Sequence, residues 1–147
     1  MRSLQLAVND INDAGIAAIG AALGCQNNSL RVLCLYANNC TERGARALAD
    51  ALRCNSTLAE LNLNGNFLRD AGATTLCDAL RRNGSSVEKL LANGNEFTAS
   101  GIAQLSSVFS LTDLDIRNNR ECGVDGVSAL AAALSESRCR MRCLGLR

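Results

Sequence analysis

One phrase recurs along this chain, and it constrains the fold more than any other feature of the sequence. Its clearest copy is LAELNLNGNFLRDAGATTLCDAL at residues 58–80. The first half has the spacing L-x-x-L-x-L-x-x-N-x-L, formed by Leu58, Leu61, Leu63, Asn66 and Leu68. The second half repeats apolar residues every three or four positions, which predicts one buried stripe on a helix. A strand-then-helix unit that recurs along the sequence predicts a stacked array of such units.

Near-copies of this phrase fill the rest of the chain. We place repeats starting near residues 1, 30, 58, 87 and 111 and a partial sixth from residue 141, so that residues 1–147 form one repeat domain. No single unit can bury its own apolar stripe, whereas stacked units bury a continuous core. Because helices are wider than strands, the stack is expected to curve with its strands on the inside.

Each part of the repeat predicts a local structure. The L-x-L segment predicts a short strand whose two leucines point into the core, because side chains alternate along a strand. The following Asn predicts a ladder of side-chain amides bonded to the backbone of the turns. The Gly further on predicts a helix start where a Cβ would crowd the preceding turn. Asp13 and Asp70 are expected to cap the helices that they begin, and the fourth helix is expected to end at Phe109.

The full consensus is L-x-x-L-x-L-x-x-N-x-[LIC]-x-x-x-G-[AIV]-x-x-[LI]-x-x-[AF]-L, and it resembles the leucine-rich repeats of the ribonuclease-inhibitor type. This resemblance implies an α/β, right-handed curved leucine-rich-repeat solenoid, with parallel strands on the concave face and helices on the convex face. The family includes nuclease inhibitors, Ran-type GTPase-activating proteins and the sensor arrays of NOD-like receptors. The resemblance therefore implies a non-catalytic module that binds a protein through its concave face. A Ran-type GTPase activator and a fragment of a sensor array are the alternatives.

Composition and motifs argue against several other functions. The net charge of +1 gives no reason to expect nucleic acid. No apolar run approaches the roughly 20 residues that cross a bilayer. Without any His, a Ser or Cys nucleophile has no imidazole base. Asp113 and Asp115 form a carboxylate pair on one strand face, but we favour a contact patch over acid–base catalysis there. We therefore predict neither an enzyme nor a cofactor.

The eight cysteines mostly stand where the repeat uses small apolar residues. Such use favours reduced thiols and a cytoplasmic protein. The chain has no C-x-x-C pair and no His, which argues against a metal site.

The candidate contact surface consists of side chains beside the core leucines, which the repeat directs to the concave face. The predicted partner-binding residues are Tyr36, Glu60, Asn62, Asn64, Lys89, Asn93, Asp113, Asp115 and Arg117. Tyr and Arg are common hot-spot residues in interfaces, and the alternative is an ordinary solvated face. An arginine cluster near the end of the sequence either binds acidic partners or is simply solvated; its members are Arg138, Arg140, Arg142 and Arg147.

The lack of polar closing repeats at the two ends of the array predicts self-association. Solenoids normally close with repeats that have a polar outer face, and neither end of this sequence has one. We therefore expect either end-to-end stacking or a place in a longer array.

Overall fold

A computed structural model of the chain describes residues 1–24, 29–82, 85–119 and 121–146. Over these residues, six strands alternate with five helices. The strands are β1 (Ser3–Gln5), β2 (Val32–Cys34), β3 (Glu60–Asn62), β4 (Lys89–Leu91), β5 (Asp113–Asp115) and β6 (Cys143–Gly145). The helices are α1 (Asn12–Leu23), α2 (Glu42–Leu52), α3 (Arg69–Leu80), α4 (Ala99–Ser106) and α5 (Gly123–Ser135).

The strands form one parallel sheet in sequence order. Each strand pairs with the next so that the central residues form a single row across the sheet, consisting of Leu4, Leu33, Leu61, Leu90, Leu114 and Leu144. A helix separates each strand from the next, as parallel strands require. This architecture confirms the predicted α/β leucine-rich-repeat solenoid, with strands on the concave face and helices on the convex face. The division into repeats at the stated residues stays a prediction.

The core is aliphatic and continuous. Each strand is centred on the second leucine of its phrase, and the third leucine follows the strand; Leu61 and Leu63 are both 0% exposed. Phe97 is the one fully buried aromatic side chain in the described part of the chain. Burial raises the pKa of the Cys40 and Cys77 thiols to about 12. These two cysteines therefore act as small apolar residues, as the sequence predicts.

The predicted asparagine ladder is present beside the strands. Asn38, Asn66, Asn95 and Asn119 are at most 6% exposed. The side-chain oxygen of Asn66 accepts hydrogen bonds from the backbone N–H groups of Asn38 (3.1 Å) and Cys40 (2.9 Å). Its side-chain nitrogen donates to the carbonyls of Leu35 and Leu63, both at 3.0 Å. Each amide thus joins two neighbouring units and satisfies buried backbone groups that would otherwise have no partner.

The fourth helix is shorter than predicted. It ends at Ser106 and not at Phe109. The Ser106 and Ser107 hydroxyls donate to the carbonyls of Ala103 (2.9 Å) and Gln104 (2.7 Å), respectively. Serine side chains that bond nearby carbonyls in this way compete with continued helical bonding. Residues 107–112 consequently form a turn and loop before β5.

The predicted capping by Asp13 and Asp70 was also wrong, because each carboxylate caps the following helix. The Oδ1 atom of Asp13, on α1, accepts from the N–H groups of Thr41 (2.8 Å) and Gly44 (3.0 Å) at the start of α2. Its Oδ2 atom accepts from the Thr41 hydroxyl at 2.6 Å. Asp70 on α3 makes the same three contacts at the start of α4. Stacking brings each of these aspartates against its neighbour's first turn, where a negative charge is favourable.

The helix starts therefore alternate between two kinds. Thr41 and Thr98 precede α2 and α4, and each hydroxyl accepts a hydrogen bond from the N–H two residues on, at 3.2 Å. The residues that precede α1 and α3 are Ile11 and Leu68, and neither has a side chain that caps its helix. Each helix that carries one of these aspartates is thus followed by a helix whose preceding threonine donates a hydrogen bond to that carboxylate.

The repeated glycine lies at the helix start, as predicted. A Cβ built on Gly44 would lie 2.7 Å from the Cys40 Sγ atom and 2.7 Å from Asp13 Oδ1. Both contacts are closer than side-chain packing permits. The glycine therefore leaves room for the turn before its helix and also for the carboxylate of the preceding unit.

Asp13 is expected to make stability depend on pH in the acid range. Burial raises the pKa of Asp13, but its hydrogen bonds from Thr41 and Gly44 lower it by more, so the pKa lies below 3.8. The unfolded chain therefore takes up this proton first as the pH falls. The contribution of Asp13 to stability is complete above the unfolded pKa of 3.8 and is lost as the pH falls through the lower folded value.

The test compares Asp13→Asn with the parent chain in urea unfolding from about pH 7 to pH 3. The difference in the free energy of unfolding should be constant near neutral pH and should shrink below about pH 5. Asp125→Asn, at an exposed carboxylate in the first turn of α5, serves as the control. A difference for Asp13→Asn that does not change with pH would contradict this assignment.

Both ends of the array expose apolar side chains. At one end Met1 is 75% and Val8 67% exposed, and at the other Val124 is 82% and Val127 53% exposed. Self-association through these ends stays a prediction. None of the described helices combines the length and apolarity that a bilayer crossing requires.

Candidate functional site

The concave face presents two rows of side chains, one on each side of the central leucines. The strands alternate in burial, so the residues that flank each central leucine face solvent more than the leucine does. The first row, at the strand starts, is Ser3, Val32, Glu60, Lys89, Asp113 and Cys143; the second row, at the strand ends, is Gln5, Cys34, Asn62, Leu91, Asp115 and Gly145.

Opposite charges meet in the first row. Lys89 is in register with Glu60 on one side and Asp113 on the other. Its Nζ atom lies 3.2 Å from Glu60 Oε2, and both side chains are partly exposed. Asp113 accepts a hydrogen bond from the Thr112 hydroxyl at 2.8 Å. Exposed ion pairs of this kind add at most about 1 kcal/mol to stability, so these charges remain available for a ligand at little cost.

Asp115 and Arg117 form the most ordered pair on this face. The Arg117 guanidinium donates from Nε (2.9 Å) and Nη2 (2.7 Å) to the two oxygens of Asp115, which also accepts from the Arg117 backbone N–H at 3.1 Å. The hydrogen bonds from the Arg117 side chain lower the pKa of Asp115, and burial opposes them. Asp115 is only 7% exposed, and its place in a partner contact stays a prediction. It holds Arg117, whose side chain is half exposed.

The same pair weakens the acid–base alternative. A general acid or base at neutral pH needs a carboxyl group with a raised pKa. The pKa of Asp115 is lowered instead, and both of its oxygens are occupied.

A groove of about 500 Å³ lies on the concave face across β4, β5 and β6. It brings together four predicted site residues, namely Lys89, Asp113, Asp115 and Arg117. Leu91, Cys143, Gly145 and Leu146 line it as well. Charged side chains thus border an apolar patch at Leu91. The list of predicted binding residues omitted Leu91 and Cys143, which the sheet register places beside Asp115 and Asp113.

The predicted asparagines serve mainly the turns at the strand exits. Asn62 accepts a hydrogen bond from the Asn64 N–H (3.0 Å), and Asn64 accepts from the Asn93 N–H (2.8 Å). Asn93 accepts in turn from the Asn118 side chain at 3.2 Å. These amides are partly exposed, but each side-chain oxygen already accepts a hydrogen bond from another asparagine.

Tyr36 lies on the same face, apart from the groove. Its side chain is 44% exposed. A Cβ built on Gly65 would lie 3.0 Å from Tyr36 Cε2, and the φ of +64° at Gly65 further favours glycine there. The predicted site is therefore spread along the array, with Tyr36 and Glu60 beyond the groove.

The predicted arginine cluster is not one group over the described residues. Arg138 stacks on the Phe109 ring, with 4.3 Å between its guanidinium carbon and the ring centroid. Arg140 and Arg142 are exposed. Arg147 lies outside the described residues.

Comparison with known proteins agrees with this architecture. A family model described as "Leucine Rich repeat" matches residues 1–20 and 54–77. The ribonuclease inhibitor of Sus scrofa is 34% identical over 99% of this chain and 33% of its own length. NACHT, LRR and PYD domains-containing protein 13 of Homo sapiens is 36% identical over 97% of this chain and 14% of its own length. The chain spans about a third of the length of the ribonuclease inhibitors that it matches.

Two solved structures share the fold. The tropomodulin C-terminal domain of Caenorhabditis elegans superposes with a TM-score of 0.70 at 14% identity, covering 91% of this chain and 82% of that domain. Leiomodin-1 Actin-Binding Site 2 superposes with a TM-score of 0.61 at 23% identity, covering 100% of this chain and 70% of that chain. At these identities the likeness concerns the fold alone. The repeat pattern, the parallel solenoid and the relatives together show that the chain is built from leucine-rich repeats similar to those of the ribonuclease-inhibitor type.

Proposed function

We propose that this chain binds another protein through its concave strand face, with the groove around Leu91 at the centre of the contact. The observation that carries the proposal is the combination of an apolar patch with charged residues of both signs at its border. Protein interfaces commonly have an apolar centre and a polar rim. Lys89 and Asp113 supply the rim charges, and Tyr36 and Glu60 extend the surface towards β1.

Arg117 is the residue on this face best prepared for binding. Arginine is enriched among interface hot spots. Its two hydrogen bonds to Asp115 restrict the side chain before a partner arrives. A restrained side chain loses less conformational entropy on binding, which favours affinity.

A binding module without catalysis of its own and without a cofactor fits this surface. The carboxylate pair does not resemble an acid–base pair, since Asp115 is engaged with Arg117. The relatives add a candidate class of partner, because two of them are named ribonuclease inhibitors. The free, buried thiols of Cys40 and Cys77 suit a reducing compartment such as the cytoplasm.

The proposal is tested by photocrosslinking from the groove. A photoreactive residue at position 91 should capture a partner from an extract of the source cells, and the same residue at Arg46, on the outward side of α2, should not. Isothermal titration with the purified partner should then show that Leu91→Arg weakens binding by at least about 30-fold, as expected for a central interface residue. Arg46→Gln should change the affinity less than about twofold.

Two results would contradict the proposal. One is equal capture from positions 91 and 46. The other is an affinity that Leu91→Arg does not change, while thermal unfolding shows that the variant is folded.

Functional assays separate the alternatives. Inhibition of a ribonuclease in proportion to added chain would support the partner class that the relatives suggest. Accelerated GTP hydrolysis by a small GTPase would support a Ran-type activator instead. The relatives with NACHT and PYD domains favour the sensor-array alternative, in which the concave face binds a protein as part of a longer receptor.

A further inference from the structure

Two Asn-Gly pairs occupy equivalent places in neighbouring units of the array. They are Asn64-Gly65, just after β3, and Asn93-Gly94, just after β4. The glycines have φ values of +64° and +63°, respectively, which glycine adopts without strain. The sequence contexts are also alike, since an asparagine of the ladder follows each pair. A third Asn-Gly pair, at residues 83–84, lies outside the described residues.

An Asn-Gly pair can react with itself in water. The glycine backbone nitrogen forms a bond to the side-chain amide carbon of the asparagine, the bond from that carbon to Nδ2 breaks, and ammonia leaves with the proton that the glycine nitrogen has lost. Water then opens the resulting succinimide ring at either carbonyl, which gives aspartate or isoaspartate. Glycine favours the first step because it has no Cβ to hinder its nitrogen.

Both reacting groups of Asn64-Gly65 are held by one residue of the next unit. The Gly65 N–H donates to the Asn93 carbonyl at 2.7 Å, so the attacking nitrogen is engaged. A hydrogen bond from the protonated form opposes loss of its proton. The Asn64 side-chain oxygen accepts from the Asn93 backbone N–H at 2.8 Å, so the attacked amide is fixed as well. Reaction at Asn64 therefore requires local opening, which costs free energy.

The pair Asn93-Gly94 is held less firmly. The Gly94 N–H donates to the Arg117 carbonyl at 2.9 Å. The Asn93 side-chain oxygen, however, accepts from the Asn118 side chain at 3.2 Å and not from a backbone N–H. Asn118 is exposed, and an exposed side chain gains rotamer entropy when it leaves such a contact. The amide that is attacked at Asn93 is consequently freer to move than the amide of Asn64.

We propose that the folded chain deamidates in a fixed order, with Asn93 first and Asn64 after it. Conversion of Asn93 to isoaspartate routes the backbone through the former side chain. The N–H and the carbonyl of residue 93 then lose the spacing that holds Asn64-Gly65, so the first reaction exposes the second pair. The aspartate product keeps the normal backbone and leaves Asn64 protected. Each conversion adds a negative charge beside the concave face, whether or not that face binds a protein.

The test is peptide mapping by mass spectrometry after the full chain has been incubated in mildly alkaline buffer. Trypsin separates the two pairs, because Lys89 lies between them. In guanidinium chloride the two asparagines should react at rates within about twofold of each other, since no inter-unit hydrogen bond remains. In the folded chain Asn93 should initially react at least about tenfold faster than Asn64, and modification of Asn64 should follow after a lag.

Asn93→Ala tests the order directly. The variant cannot deamidate at residue 93 but keeps its backbone N–H and carbonyl, so Asn64 should stay unmodified for as long as the parent chain takes to lose it. Asn93→Asp also keeps the normal backbone and should protect Asn64 in the same way. Asn118→Ala should instead speed the reaction of Asn93 at least about threefold. The control Asn9→Ala, at an exposed asparagine in another unit, should change neither rate.

Circular dichroism establishes that each variant is folded before its rates are compared. Equal rates at Asn93 and Asn64 in the folded chain would overturn the proposal, because they would mean that both pairs react only when the whole array opens. Loss of Asn64 in folded Asn93→Ala and Asn93→Asp as fast as in the parent chain would overturn the protective role of residue 93. An intact Asn93 in the folded chain, over the time in which the unfolded chain reacts completely, would also overturn it.

Discussion

Replacing Asn66 with alanine is expected to lower the free energy of unfolding by about 3–5 kcal/mol. The substitution leaves the buried N–H groups of Asn38 and Cys40 without an acceptor. It also removes the donor that serves the carbonyls of Leu35 and Leu63. Each buried group left without a partner costs about 1–3 kcal/mol. Urea unfolding followed by circular dichroism measures the change.

Asn9 provides the matched control for this substitution. It occupies the same place in its phrase as Asn66, but it is exposed, and among the described residues its side chain donates only to the nearby Ala7 carbonyl, at 3.0 Å. Asn9→Ala should therefore cost less than about 1 kcal/mol. Similar losses for the two variants would mean that the ladder contributes through something other than the satisfaction of buried backbone groups.

Truncation of Phe97 is the second substitution expected to have a large effect. Phe97 is 0% exposed, and Leu68 occupies the equivalent place in the preceding unit. Phe97→Ala removes a buried ring and leaves a cavity, which should cost about 3–5 kcal/mol. Phe97→Leu installs the neighbour's side chain and should cost only about 1–1.5 kcal/mol. The same unfolding experiment measures both variants.

A position that is less buried tests whether packing causes this effect. Cys122, near the start of α5, is only partly buried, so Cys122→Ala should stay within about 1 kcal/mol of the parent chain. If Phe97→Ala cost no more than Cys122→Ala, the assignment of Phe97 to the centre of the core would be wrong.

The sequence predicts the regular part of this fold well, because the same physical demands recur in each unit. Leu61 and Leu90 fill equivalent places in the sheet, and Asn66 and Asn95 fill equivalent places in the ladder. A recurring pattern of that kind reveals which side chains face the core. It does not reveal how one unit's loop lies against the next unit's helix, and for that reason the partner of Asp13 was assigned to the wrong helix.

The candidate sites depend on contacts that the repeat does not encode. Arg117 follows Asp115 by two residues, and only the folded turn brings its guanidinium back over that carboxylate. Phe109 and Arg138 are far apart in sequence and come together through their turns. The expected end of α4 at Phe109 also left little room for the turn that brings Phe109 to Arg138. Side-chain direction at the strands was predictable, whereas the chemistry of the turns was not.

The alternation of helix starts has a consequence for how such an array can change in length. Asp13 needs Thr41 in the next unit, and Asp70 needs Thr98. If one strand–helix unit were deleted between them, a carboxylate would meet a helix that offers no threonine. Deleting two adjacent units would instead bring Asp13 to Thr98 and preserve the contact. The contact between neighbouring helices therefore recurs every two units, and a gain or loss of two adjacent units would keep these aspartates matched to a threonine.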